Sequence, residues 1–186
     1  LLRADVVVVA KADVAPPDEL PALEAGIRRH NPSAPMVRGA LQIFVDRPER
    51  LRGRRVAVVE DGPTLTHGGM AYGAATVAAH RFGVAEIVDP RPSAVGSVAA
   101  AFRDFPHLQR AIPALGYSEG QLDDLRETLA ALPCDFILSA TPVDLGRLLP
   151  TGREVVRVSY EFEEMDGDSL LQAVHAALAD RSLKNE

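Results

Sequence analysis

Tryptophan is absent and aromatic residues make up only 5% of the chain, so Val, Leu, Ile and Ala have to build the interior. A single cysteine, Cys134, excludes an internal disulfide, and its place just before Phe136-Ile137-Leu138 reads as a small buried side chain. No apolar stretch approaches the roughly 18–20 residues that cross a bilayer, and no signal peptide is seen, so a cytoplasmic protein without membrane contact is expected. Positive charge is not in excess: Lys+Arg 20 stand against Asp+Glu 26, a net charge of −6 that gives no electrostatic footprint for nucleic acid. The G-x-x-x-x-G-K-[ST] loop is missing, as is G-x-G-x-x-G after a strand, and so are C-x-x-C and H-E-x-x-H. A phosphate loop of its own, a dinucleotide fingerprint and a zinc site are thereby set aside. An initial Met is also lacking, and the first ordered-looking element begins almost at residue 1; the expectation is a piece of a longer protein.

What is present is ordinary for a globular domain of 186 residues, with 47% hydrophobic and 25% charged residues. Asp5-Val6-Val7-Val8-Val9-Ala10 is a continuous β-branched run, the pattern of a strand buried on both faces of a parallel sheet. Pro16-Pro17-Asp18 opens a helix closed by Asn31-Pro32, and Pro35 to Gly39 reads as a short strand. Arg55-Val56-Ala57-Val58-Val59-Glu60 predicts a strand, followed by a loop over Thr64 to Gly69 and an Ala-rich helix ended by Gly83. Glu86-Ile87-Val88 is a further strand with a helix from about Ser97. Ser118 and Gln121 have the spacing of a capping box ahead of the stripe Leu122, Leu125, Leu129 and Leu132. Phe136 to Ala140, the alternating run Val156 to Phe162 and a last helix through Leu178 complete the order. Strands alternating with helices predict an α/β fold: a doubly wound, largely parallel sheet in Rossmann-like layers, without a phosphate loop.

In such sheets ligands lie beyond the carboxyl ends of the strands, where the polar clusters of this chain also fall. Lys11-Ala12-Asp13 follows the first strand. In GTP-binding proteins an Asn/Thr-Lys-x-Asp segment occupies this place, its Asp accepting from two adjacent guanine donors. Here Ala10 stands at the first position, and the competing reading is a solvated strand terminus. Glu60-Asp61-Gly62-Pro63-Thr64-Leu65-Thr66-His67-Gly68-Gly69 follows the strand that begins at Arg55. Its glycines would bring backbone N–H groups to an anion at the following helix N-terminus, Thr64 and Thr66 would add hydroxyl donors, and His67 could move a proton. Glu60 and Asp61 could hold Mg²⁺ or take a proton; a structural turn with a helix cap is the alternative. Asp89-Pro90-Arg91-Pro92 aims a stiffened Arg91 that suits bidentate phosphate recognition, or else a surface salt bridge. Because sequential strands usually lie side by side, Arg91 is expected to close over the 64–69 loop.

From Val59 to Gly68 the sequence resembles the cyclic 2,3-diphosphoglycerate synthetase family and its relatives described as predicted GTPases. The resemblance continues through Glu86 to Pro92, Ala94-Val95-Gly96-Ser97, Pro113-Ala114-Leu115-Gly116-Tyr117 and Thr141-Pro142-Val143-Asp144-Leu145. It implies the carboxyl-terminal part of an ATP-dependent enzyme that closes an intramolecular phosphoanhydride. Residues 1-50 would then end a nucleotide-binding domain of phosphate-loop type, and residues 51-186 would form the substrate portion. ATP or GTP with Mg²⁺ would be the cofactor of the whole protein. Lys11 and Asp13 would serve the base, Thr64, Thr66, Gly68, Gly69, Arg91 and Ser97 the phosphates or substrate, and His67, Glu60 and Asp61 the chemistry. The implied partners are a small phosphorylated metabolite, the absent amino-terminal region and a second copy of the chain. Family members read Asn-Lys-Val-Asp where this chain has Ala10-Lys11-Ala12-Asp13, and often Tyr at Ser93. Three other readings stand beside it: a non-catalytic anion-sensing or dimerising module, a GTPase of unknown substrate, and a stand-alone hydrolase using Glu60, Asp61 and His67.

Overall fold

A computed structural model describes residues 1–116, 118–165, 167 and 169–183; Tyr117 of the resemblance lies outside them. The packing groups Leu1–Gln42 with the segment from Glu161 onward, and Ile43–Tyr160 separately, into two compact units.

In the first unit β1 (Val7–Ala10) runs parallel to the start of β2 (Met36–Val45), with Val7 opposite Met36 and Ala10 opposite Gly39. Helix α1 (Glu19–His30) lays Leu20 and Ile27 on Val7, Val9, Ala12 and Met36, which makes the small core of this unit. Asn31, buried just past the helix, ties the amino-terminal segment down. Its side-chain amide donates to the carbonyls of Leu1 and Ala4 at 2.9 and 2.8 Å, and its oxygen accepts from Ala34 N–H at 3.1 Å. The last part of β7 (Glu154–Glu164) and α7 (Ser169–Leu183) belong here too.

The second unit is built on β3 (Arg55–Asp61), whose Val56–Val59 are at most 1% exposed. β6 (Phe136–Ala140) pairs with one edge of β3 and β7 pairs with β6, both parallel. The other edge of β3 is shared. β4 (Glu86–Ile87) pairs with Arg55 and Val56, and β5 (Ala111–Ala114) takes over from Val58 to Asp61. Side chains alternate across this sheet as a strand requires. Val56, Val58 and Leu138 pack with Ala75, Ala78 and Ala79 of α3 (Ala74–Arg81). Ala57, Val59 and Ile137 face the opposite way. They pack with Val98 of α4 (Gly96–Asp104) and with Leu125 and Leu129 of α5 (Glu119–Ala131). Helices on both faces of a mostly parallel sheet make the unit doubly wound, as the alternation of strands and helices predicts. In the first unit, by contrast, the β-branched run of β1 is not buried on both faces, Val8 being 42% exposed. Fully burying each of these Val or Leu side chains contributes about 1.5–3 kcal/mol.

Four local expectations change. The predicted loop at 64–69 begins instead as a short helix, α2 (Gly62–Thr66), started by Pro63 in its first turn. β5 was not expected, because Pro113 interrupts its four residues. A second short helix, α6 (Leu145–Leu148), is capped by Asp144, which accepts from Arg147 N–H at 3.3 Å. The Ser118 hydroxyl donates to Gln121 Oε1 at 2.9 Å rather than capping the backbone of α5.

Candidate functional site

The carboxyl end of β3 gathers the polar turns of the second unit, since Glu60 lies opposite Ala140 of β6 and Asp61 opposite Ala114 of β5. Asp61 caps α2: one carboxylate oxygen accepts from Thr64 Oγ1 at 2.8 Å and from Thr64 N–H at 3.4 Å. Thr66 Oγ1 donates to the Gly62 carbonyl at 2.9 Å and lies 3.0 Å from Nδ1 of the exposed His67. The N–H groups of His67 and Gly68 both donate to the Pro63 carbonyl, at 2.9 and 3.1 Å. Gly69 then reverses the chain at φ +66°, a left-handed conformation that suits glycine.

Glu60 turns inward and is 2% exposed. Its carboxylate accepts from the N–H groups of Gly73, Ala75 and Thr76 at 3.1, 3.2 and 2.8 Å, and from Thr76 Oγ1 at 2.9 Å. These donors are the free end of α3, where the helix dipole favours negative charge. The sequence expectation of an anion at this helix N-terminus therefore meets a specific occupant, the protein's own Glu60. Burial pushes the Glu60 carboxyl above its ordinary range, and the four donors pull it back only in part. Gly73 is required by the same contact, because a Cβ there would lie 2.5 Å from Glu60 Oε2.

Several expected ligand donors are thus committed within the chain. The hydroxyl hydrogens of Thr64 and Thr66 go to Asp61 and to the Gly62 carbonyl, and the Gly68 N–H goes to Pro63, so none of these is left to donate to a phosphate. Glu60 and Asp61 fit Mg²⁺ poorly for the same reason, their carboxylates being engaged by protein donors. Among the described residues no group of three or more His, Cys, Asp or Glu is placed to hold a metal ion.

Arg91 does not close over the 64–69 segment. Its guanidinium donates to Asp89 Oδ2 at 3.0 Å and to the carbonyls of Leu108 and Gln109 at 2.8 and 2.6 Å, and it lies 5.4 Å from the Phe102 ring centre. The reason is the shortness of β4. Ile87 pairs with Val56, five residues before Asp61, so the two strand ends are offset by about 16 Å. Arg91 instead lines a cavity of about 570 Å³ with Thr76, His80, Glu86, Gln109 and Arg110, at the fork where β4 leaves and β5 enters. Ser97 lies in the first turn of α4, but its N–H donates to Asp124 at 2.8 Å, so a carboxylate of the chain already stands at that helix end. The Ser97 N–H holds the Asp124 carboxyl below its ordinary range.

In the first unit, Lys11 and Asp13 are exposed beyond the carboxyl end of β1, with Lys11 at φ +59° and its carbonyl accepting from Val14 N–H at 3.3 Å. Sequence reasoning did not single out Thr76, Arg110 or Asp124. A lone Thr in the first turn of an Ala-rich helix was the available signal for Thr76. The other two depend on which distant segments the sheet brings together.

No protein-family profile matches the chain. It is 46% identical over 171 residues to a protein named arginine synthetase ArcE from Thermococcus kodakarensis. The match takes in 92% of this chain, which spans 38% of the length of that relative.

Proposed function

We propose that this chain is the substrate-side portion of a longer nucleotide-dependent synthetase, one that uses ATP or GTP with Mg²⁺ to activate an oxyanion by phosphoryl transfer. The observation that carries the reading is the 46% identity to a protein named as a synthetase. The resemblance to cyclic 2,3-diphosphoglycerate synthetases, resting on the Glu60–Gly68 run, favours the same class of chemistry with a phosphorylated acceptor. When bound, the nucleotide supplies the phosphoryl group and Mg²⁺ spreads its charge. In this reading Lys11 and Asp13 face the base, and Ala10 removes one polar contact that would favour guanine. Glu60 and Asp61 are committed to helix ends and so would not hold Mg²⁺, which would neutralise the charge of the nucleotide phosphates. Glu60 holds Gly73 to the start of α3, and His67 is held by Pro63 and Thr66.

The test is nucleotide cleavage by the longer protein with defined acceptors. Release of ADP or GDP should rise on adding 2,3-diphosphoglycerate or an amino-acid acceptor, and Asp13→Ala should change base preference. Hydrolysis of GTP indifferent to every acceptor would favour the GTPase alternative and overturn the synthetase reading. A dimerising module is the second reading. It draws on Leu171 and Val174 of α7, which are 61% and 38% exposed and three residues apart on one helix face. Sedimentation of the chain and of Leu171→Glu decides it: a dimer that Leu171→Glu converts to monomer supports the module.

A further inference from the structure

We propose that Thr66 fixes His67 with its ring hydrogen on Nδ1, leaving Nε2 as the proton acceptor beyond the carboxyl end of β3. A threonine hydroxyl carries one hydrogen. The Gly62 carbonyl can only accept, so at 2.9 Å that hydrogen belongs to the Thr66–Gly62 bond. Thr66 Oγ1 then presents a lone pair to His67 Nδ1 at 3.0 Å, and the contact is attractive only if Nδ1 bears a hydrogen. The geometry is held from two sides. The hydroxyl bond closes the last turn of α2, and the His67 N–H donates to the Pro63 carbonyl at 2.9 Å. His67 itself is exposed, and among the described residues Nε2 has no hydrogen-bond partner. A free imidazole in water favours the opposite tautomer, with its hydrogen on Nε2, so Thr66 sets which nitrogen is basic.

The inference rests on the synthetase reading for its use. There, an amine or hydroxyl nucleophile attacks the carbon or phosphorus bearing an activated phosphate. The new bond forms from the nucleophile's lone pair, and the bond to the phosphate oxygen breaks with its electron pair leaving on phosphate. The nucleophile's proton passes to His67 Nε2, giving an imidazolium that still donates from Nδ1 to Thr66. Thr66 is a positioning residue in this step.

Long-range ¹H–¹⁵N correlation spectra of the 186-residue chain, recorded where the histidines are neutral, test the tautomer without any turnover. His67 should show a protonated Nδ1 and an unprotonated Nε2. Thr66→Val, which removes the acceptor, should shift His67 toward the Nε2–H form, and Thr66→Ser should restore Nδ1–H. His107 serves as the internal control, because its Nε2 lies 2.9 Å from the Leu65 carbonyl and reports whether α2 is still in place. An Nε2–H form of His67 in the unsubstituted chain overturns the proposal, and so does a tautomer unmoved by Thr66→Val while His107 is unchanged. In the longer protein, Thr66→Val should lower kcat roughly tenfold or more with little change in KM, and Thr66→Ser should recover most of it. An unchanged kcat in a protein with the expected tautomer overturns the proton-transfer role, whatever its acceptor proves to be.

Discussion

Replacing Glu60 by Ala leaves the N–H groups of Gly73, Ala75 and Thr76 at a nearly dry position without an acceptor. Unsatisfied donors of this kind cost about 1–3 kcal/mol, so Glu60→Ala should lower unfolding free energy by about 2–4 kcal/mol in urea titration. Gly73→Ala should cost about 1–3 kcal/mol by crowding the same carboxylate. The double variant should cost less than the sum, because one cap is lost twice; strict additivity would show that the two positions act separately. The pH dependence has a definite sign. The folded pKa of Glu60 lies above its ordinary 4.5, chiefly through burial. Above 4.5 the native state holds this proton longer than the unfolded chain does, so the Glu60 contribution to stability falls as pH rises through the folded pKa. Glu24 and Glu154 have the opposite sign. Hydrogen bonds from Arg38 and Arg50 lower their pKa values, and their contribution is present above 4.5 and lost as pH falls. Subtracting Glu60→Gln from the unsubstituted chain cancels those two. The difference should decline from pH 4.5 toward neutrality, and a flat difference would contradict the assignment.

At the level of elements, the fork of β4 and β5 decides what Arg91 does. It reaches the carbonyls of Leu108 and Gln109 just before β5 and stacks on Phe102 from α4. With this side chain 45% exposed, Arg91→Ala should cost only about 1–2 kcal/mol, with faster amide exchange across Ala111–Ala114. Arg91→Lys should recover less than half of that, since an ammonium cannot span two carbonyls while stacking on a ring. Phosphate affinity that fell on Arg91→Ala with no loss of stability would restore the ligand role. β3 and β6 were legible as β-branched and apolar runs, whereas β5 was not. Among the described residues β5 pairs with β3 and no second strand, and proline is tolerated on such an edge strand. Asp61 and Pro63 carried the start signals of α2, but five residues are too few to show helical periodicity.

For the molecule as a whole, the absence of a phosphate loop from a chain spanning 38% of its relative's length leads to a plain expectation. The isolated chain should release no phosphate from ATP or GTP above background, because the Lys and backbone cradle that neutralise the transferred group are missing. Steady hydrolysis in a phosphate-release assay would refute this. Among the described residues no helix is long and apolar enough to cross a membrane.

The residue pattern alone determined the layered α/β class. Two-faced burial of Val56–Val59 follows from an unbroken apolar run, and connections long enough to hold a helix then favour parallel pairing. It also located the polar turn after β3, since acidic residues, Pro and closely spaced glycines cannot continue a buried strand. Tertiary structure decided which of those polar groups remain open. Glu60 and Asp124 are taken by the N-termini of α3 and α4, Arg91 by two carbonyls, and the Thr64 and Thr66 hydroxyls by neighbours one helical turn away or less. Each of these commitments depends on an atom whose position the chain reaches only after folding. A carboxylate beside a glycine-rich turn reads the same in sequence whether its partner is a ligand or the end of its own helix.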